Sequence, residues 1–219
     1  MSKKVALIHT SFALVESLNA LAKEKLPDVG LITIVDDTVL PHARSRGVDA
    51  ELTERMDAYF RSASEGGADA ILSVCSSVGQ TVDTAREWSK TPILKIDEPM
   101  IEAAVSRGKK IAVLATVEST LGPTSRLLEN KAHAAGREIE LTQHLCKGAF
   151  EALTGGKPEE HDRMVAEAVE ECAQTHDLIV LAQASMARVA PLVENRVSVP
   201  VLSSPHLAME RLKQLLYGS

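Results

Sequence analysis

The sequence predicts an α/β protein made of two pseudo-symmetric, four-stranded parallel-sheet halves of the flavodoxin-like kind, with an active-site cleft between them. Two observations carry that expectation. Apolar, β-branched runs alternate with helix-length segments along the chain, the pattern of parallel strands covered on both faces. The chain also repeats itself. When Asp177 is set on Asp69, Gln183 falls on Cys75 and Ser185 on Ser77, an offset of 183 − 75 = 108 residues. Lys3–Ile8 matches Lys109–Leu114, with Thr10 on Thr116, and Pro92-Ile93-Leu94 matches Pro200-Val201-Leu202. One such match would be chance, because apolar runs resemble each other; three in the same order argue for duplication. A (β/α)₈ barrel is the runner-up, but 219 residues is short of the roughly 250 typical of that fold.

Taken in order, the first strand is Val5 to Ile8, with His9, Thr10 and Ser11 at its carboxyl end. A helix from about Ala13 to Glu24 closes before Pro27. The second strand, Leu31 to Val35, ends in Asp36-Asp37. A loop holding Pro41 and Gly47 then leads to a helix of about Ala50 to Ser64, stopped at Gly66-Gly67. The third strand, Ala70 to Val74, runs into Cys75-Ser76-Ser77, and a helix of about Val78 to Trp88 follows. The fourth strand is Ile93 to Ile96, and Pro99 to Arg107 is a helix closed by Gly108. Then the pattern restarts. Strands are expected at Ile111 to Ala115, Ile139 to His144, Leu178 to Ala182 and Val199 to Leu202. Between them lie a helix ending near Ala135, a loop with Gly155-Gly156, a helix from Pro158 to Gln174, and a helix shortened by Pro191. His206 to Tyr217 is the last helix. The expected division is residues 1–98 for the first half, with helix 206–219 packed on it, and 99–205 for the second.

Composition narrows the function. Aromatic residues are only 3% of the chain, so the core must be Val, Ile, Leu and Ala. The net charge of −6 argues against a nucleic-acid partner, which would want a basic face. No apolar run approaches the roughly 18 residues of a membrane span. The first residues read as a strand rather than a signal peptide. Cys75, Cys146 and Cys172 show neither metal-ligand nor disulfide spacing, which fits a reduced, cytoplasmic protein.

In parallel α/β sheets, functional groups gather at the carboxyl ends of strands. The first half offers His9, Thr10, Ser11, Cys75, Ser76 and Ser77 there. The second offers Thr116, Glu118, Ser119, Thr120, Gln183, Ala184 and Ser185, and His206 follows the eighth strand. Cys75 stands where a strand gives way to a helix, a place whose free N–H groups favour a thiolate or a bound carboxylate. The set holds hydroxyls and one thiol. It has no His and carboxylate cluster suited to a metal, no glycine-rich phosphate loop and no Gly-x-Ser-x-Gly elbow. Such a set suits a small carboxylate, with Cys75 moving a proton on one face. Cys172 reads as core, on the apolar face of its helix with Val165, Ala168 and Val169.

These residues resemble the aspartate/glutamate/hydantoin racemase superfamily, which also holds arylmalonate decarboxylase and maleate isomerase. The likeness rests on Cys75-Ser76-Ser77, on Ile111 to Thr116, on Leu181 to Ser185, on Pro92 to Glu98 followed by a helix, and on the duplication. It implies two α/β halves around a cleft, no cofactor, no metal, a homo-oligomer such as a dimer, and a small carboxylate or hydantoin-like substrate. Racemases of this family use two cysteines on opposite faces of the substrate carbon. Cys75 matches the first; the second position is Gln183, whose amide cannot act as a base. The resemblance therefore leaves three routes: a replacement base such as His206 or His9, one-faced chemistry at Cys75 as in a decarboxylase, or Cys75 as a nucleophile in an isomerase or lyase. His9, Thr10, Ser76, Ser77, Thr116, Ser119, Thr120, Gln183, Ala184 and Ser185 are then the expected substrate-binding set, and Cys75 and His206 the catalytic one.

Overall fold

The computed structural model describes residues 2–218 and divides into two units: the chain up to Glu98 together with the segment from Pro205 onward, and Pro99–Ser204. The first unit carries β1 (Lys4–His9), α1 (Val15–Lys25), β2 (Gly30–Val35), α2 (Val39–Arg46), α3 (Ala50–Glu65), β3 (Ala70–Ser73), α4 (Gly79–Arg86) and β4 (Ile93–Lys95). The second unit opens with α5 (Glu98–Arg107), all but its first residue, and goes on with β5 (Lys110–Ala115), α6 (Glu118–Ala134), β6 (Glu140–Leu145), α7 (Ala149–Thr154), α8 (Pro158–Ala173), β7 (Leu178–Leu181), α9 (Ala190–Val193) and β8 (Val201–Ser203). The last helix is α10 (Ser204–Tyr217).

Each unit holds one four-stranded, all-parallel sheet. The orders are β2-β1-β3-β4 and β6-β5-β7-β8, the same arrangement twice. The aligned aspartates occupy equivalent places. The Asp69 carboxylate accepts from the Lys4 N–H at 2.9 Å, and Asp177 accepts from the Lys110 N–H at 3.0 Å. In each unit the residue before the third strand thus ties down the start of the first.

The core of each sheet follows from the pattern of the helices on it. In α3, Leu52, Met56, Phe60 and Ala63 recur at helical spacing, and they bury against Ala6, Ile8 and Ile71. Asp49 starts that helix by accepting from the Leu52 N–H at 2.9 Å. In the second unit Val165, Ala168, Val169 and Cys172 of α8 bury against Ala112, Leu114, Ile179 and Leu181. Gly108 closes α5 where a Cβ would stand 2.8 Å from Ile111 Cγ1 and 3.0 Å from Leu178 Cβ, so the chain can pass there only without a side chain.

Two stretches expected to be loops are helices. Pro41 lies inside α2, but in its first turn, where no N–H would have an intrahelical partner. The Asp36 carboxylate accepts from the Thr38 N–H at 2.9 Å just before the helix, and Gly47 ends it at φ 77°. In the second unit α7 forms between Gly148 (φ 83°) and Gly155, burying Ala149 and Ala152. A turn and a half of helix is too short for a periodic signal, so only packing against α8 reveals it.

Candidate active site

In the first unit, β1 connects to β2 on one side while β3 and β4 lie on the other. The carboxyl ends of β1 and β3 therefore border the switch point of the sheet, where open α/β sheets bind their ligands. His9, Thr10 and Ser11 arrive there from β1; Cys75, Ser76 and Ser77 arrive from β3. Ile8 pairs with Ser73 and Ser73 with Lys95. Two residues further along each chain, Thr10, Cys75 and Asp97 stand in one row. The backbone keeps step past the strands, with Val74 N–H donating to Ile8 O at 3.0 Å and Ile96 N–H to Ser73 O at 3.0 Å.

Polar groups in and beside this row lack partners. Cys75 is half-buried, and its thiol has no hydrogen-bond partner among the described residues. Ser73 Oγ and Asp97 Oδ1 are buried and unpartnered as well. Buried polar atoms are normally satisfied, so open valences here point to a place for a polar ligand. Burial raises the pKa of Asp97, an effect opposed by a hydrogen bond from Ser76, its own backbone N–H and the charge of Lys95. Asp36, at the end of β2, is by contrast fully engaged by Thr38, Tyr59 and Arg55. His9 is 1% exposed with neither ring nitrogen bonded, and burial lowers its pKa to about 4. Strand alternation puts it on the opposite face from Ser73 and Cys75.

The β4 end of the row is rigidly held. Arg86 forks onto Glu98 at 3.0 and 2.7 Å and donates to the Ile93 carbonyl at 2.9 and 2.7 Å. Lys95 donates to Asp83 at 2.7 Å. The helix start at Cys75 differs from expectation. It is a 3₁₀ turn, Ser76–Val78, that runs into the eight-residue α4, and the Val78 N–H is directed at the Cys75 carbonyl at 3.3 Å. Ser76 bonds Asp97 rather than capping a helix, and Ser77 is exposed.

The equivalent place in the second unit is filled from within. Gln183 Oε1 accepts from the Thr116 N–H at 2.6 Å, the Thr116 hydroxyl at 3.0 Å and the Val117 N–H at 3.2 Å. An amide oxygen thus takes the position a ligand's oxygen would take. Ala184 and Ser185 are half-buried in the 3₁₀ segment Ala184–Val189. Ser119 is exposed and Thr120 half-buried, both in the first turn of α6. Beside them is a chain the sequence did not suggest. His161 is fully buried with Nδ1 2.8 Å from Asp162 Oδ1, and Arg188 Nε donates to Asp162 Oδ2 at 2.8 Å. It ties the 3₁₀ segment after Gln183 to α8. A His-Asp pair on a helix reads as solvated, and only the fold supplies Arg188. If Gln183 is an anchor, Gln183→Leu should cost about 1–3 kcal/mol in urea unfolding, because three donors lose their acceptor. Gln183→Glu should keep that stability at pH 7, since a carboxylate accepts the same bonds. A Leu variant as stable as wild type would refute the anchor.

Comparison with known proteins now bears on this geometry. The sequence profile of the Asp/Glu/hydantoin racemases matches residues 5–212. The chain belongs to the Asp/Glu/hydantoin racemase family. Its fold is similar to that of an allantoin racemase from Klebsiella pneumoniae, with a TM-score of 0.75 at 21% identity over 98% of this chain and 88% of that one. It is also similar to a glutamate racemase from Bacillus anthracis, with a TM-score of 0.72 at 17% identity over 98% and 81%. A variant of arylmalonate decarboxylase superposes with a TM-score of 0.64 at 16% identity over 99% and 94%. At these identities the likeness is one of fold. No curated protein matches the chain in sequence.

Within this Asp/Glu/hydantoin racemase family member, the remaining candidates separate. Burial pushes the Cys146 thiol up to about 12 and raises that of Cys172, so both are neutral packing groups. His206 is exposed in the first turn of α10, and it acts electrostatically on Glu24, in the last turn of α1. His42, Asp49 and Glu51 place ligand-type atoms within 4.8 Å of one another. Each already has a partner: His42 Nε2 meets both Asp49 oxygens at 3.0 Å, Asp49 caps α3, and Glu51 pairs with Arg46 at 3.0 Å. No helix among the described residues is long and apolar enough to cross a membrane.

Proposed function

We propose that this protein is a cofactor-independent enzyme that transfers a proton through Cys75 at the carbon next to a carboxylate or carbonyl of a small substrate. The observation that supports it is Cys75 itself. It is the one thiol that is not fully buried, it follows β3 at the switch point of its sheet, and unpartnered Ser73 and Asp97 atoms lie in and beside its row. Gln183, bound by three donors, supplies no second base, so a proton that reaches the other face must come from another donor or from solvent. The thiolate takes the proton from one side of the carbon and an enediolate-like state forms; return of the proton by the same thiol restores the substrate, and delivery to the other face inverts it. Substrates of this kind include amino acids, hydantoins and related acids. A second reading, favoured by the same glutamine, is a decarboxylase or other lyase in which Cys75 protonates the carbanion left by the departing carboxylate. The three free cysteines suit a reducing compartment, the cytoplasm.

The test is proton exchange in heavy water, with a panel of amino acids, hydantoins, hydroxy acids and malonates followed by NMR and chiral chromatography. Deuterium uptake that depends on Cys75, with loss of optical purity, is the expected result. Uptake with optical purity retained would mean that Cys75 works on one face alone and would refute the isomerase. Loss of carbon dioxide would move the assignment to the lyase, and tight binding without turnover of any compound would make the protein a ligand-binding member of the family.

A further inference from the structure

We infer that Asp97 is the residue that grips the substrate's carboxylate, its carboxylic O–H donating a hydrogen bond to one carboxylate oxygen while the neighbouring carbon stands at Cys75. The inference rests on the proposed chemistry for its reaction, but its evidence is separate. Asp97 is 4% exposed and follows β4 at the carboxyl edge of the first sheet. The register of β3 and β4 sets it level with Cys75, and Ser76, the next residue along from the thiol, bonds it.

Charge decides its form. No Lys, Arg or His lies within salt-bridge distance of Asp97 among the described residues. Lys95 is directed at Asp83 at 2.7 Å, and the neighbouring Glu98, held by Arg86, adds a second negative charge. A buried carboxylate without a cation is costly, so burial favours the form of the group that holds its proton. A neutral carboxyl has one O–H to donate. Oδ1 has no partner among the described residues, so it is the oxygen left to meet a ligand, in the same row as Cys75, the one cysteine that is not fully buried. A donor of this kind recognises an anion, and it strengthens its bond as charge moves onto the substrate oxygens. When the thiolate removes the α-proton, the C–H bond breaks, the S–H bond forms, and the electron pair passes into the carboxylate. Asp97 holds the resulting enediolate by hydrogen bond without giving up its proton. Within the substrate range proposed above, the site therefore favours amino acids and other free acids over neutral ureides such as hydantoins.

Two alkylating agents read this directly. Iodoacetate and iodoacetamide attack the same thiol, but only iodoacetate carries a carboxylate next to the reacting carbon. Their rates at Cys75 are measured by mass spectrometry on the full chain and divided by their rates with free cysteine. The wild-type ratio of iodoacetate to iodoacetamide should exceed one by about tenfold, the low end of what a hydrogen bond to a charged group is worth. Asp97→Asn, of the same shape and still a donor, should keep the ratio within about twofold, and Asp97→Ala should bring it to about one. A wild-type ratio at or below one overturns the inference, as does a ratio that rises in Asp97→Asn, because an ionised Asp97 would repel the anion. Where Asp97→Ala fails to fold, the wild type and Asp97→Asn decide. A carboxylate preference without proton exchange would leave this inference standing and refute the proposed chemistry; exchange without the preference would do the reverse.

Discussion

Cys75→Ala is expected to lower deuterium incorporation into the substrate by about 10²–10⁴-fold, the range that a positioned acid or base contributes. The loss should fall on the chemical step. Cys75 is the only thiol that can serve, because Cys146 and Cys172 are packed in the core of the second unit and held neutral by burial. Cys75→Ser should fail as well, since a hydroxyl is a far weaker acid than a thiol. Folding should survive both changes. Cys75 is half-buried at the edge of its cluster and makes no hydrogen bond, so only a small contact is lost. Urea unfolding within about 1 kcal/mol of wild type, with the exchange gone, would assign the loss to chemistry. Full activity in Cys75→Ala would end the proposal.

The second large effect concerns acid and His9. The imidazole is enclosed at the end of β1 with neither nitrogen bonded, so the fold disfavours its charged form and lowers its pKa to about 4. In the unfolded chain it titrates near 6.5. Between those values the unfolded state binds the extra proton. Stability contributed by neutral His9 is therefore complete above about pH 6.5 and is lost as the pH falls toward 4. The size of the loss is about 3 kcal/mol, from the shift of the ionisation. Urea unfolding at several pH values should show this decline in wild type and a flatter profile in His9→Gln, which cannot titrate. Asp36, Asp49 and Asp69, whose pKa values are lowered by their hydrogen bonds, lose their contributions at still lower pH, in both proteins alike. Parallel profiles for wild type and His9→Gln would show that His9 is not held neutral.

For the site, the strand-end rule put Thr10, Cys75, Ser76, Thr116 and Gln183 at the carboxyl edges of their sheets, where the structure has them, because parallel strands present their carboxyl ends together. It passed over Asp97, which follows β4 by the same rule but reads as an ordinary helix-start acid. It also missed the 3₁₀ turn that stands between Cys75 and the helix after it.

The sequence by itself determined the architecture. Eight apolar runs and a repeated Asp-strand-Ser pattern leave few other ways to bury that much Val, Ile and Leu, and Asp69 and Asp177 perform the same tie in both units. Only the tertiary structure decided the protonation and partners of the polar groups. Whether Asp97 is neutral, whether His9 is enclosed, and whether Gln183 faces a ligand or the Thr116 and Val117 donors all depend on atoms far apart in the chain. Hydrophobic periodicity is local and survives in a string of letters; desolvation and hydrogen-bond satisfaction are properties of the packed chain.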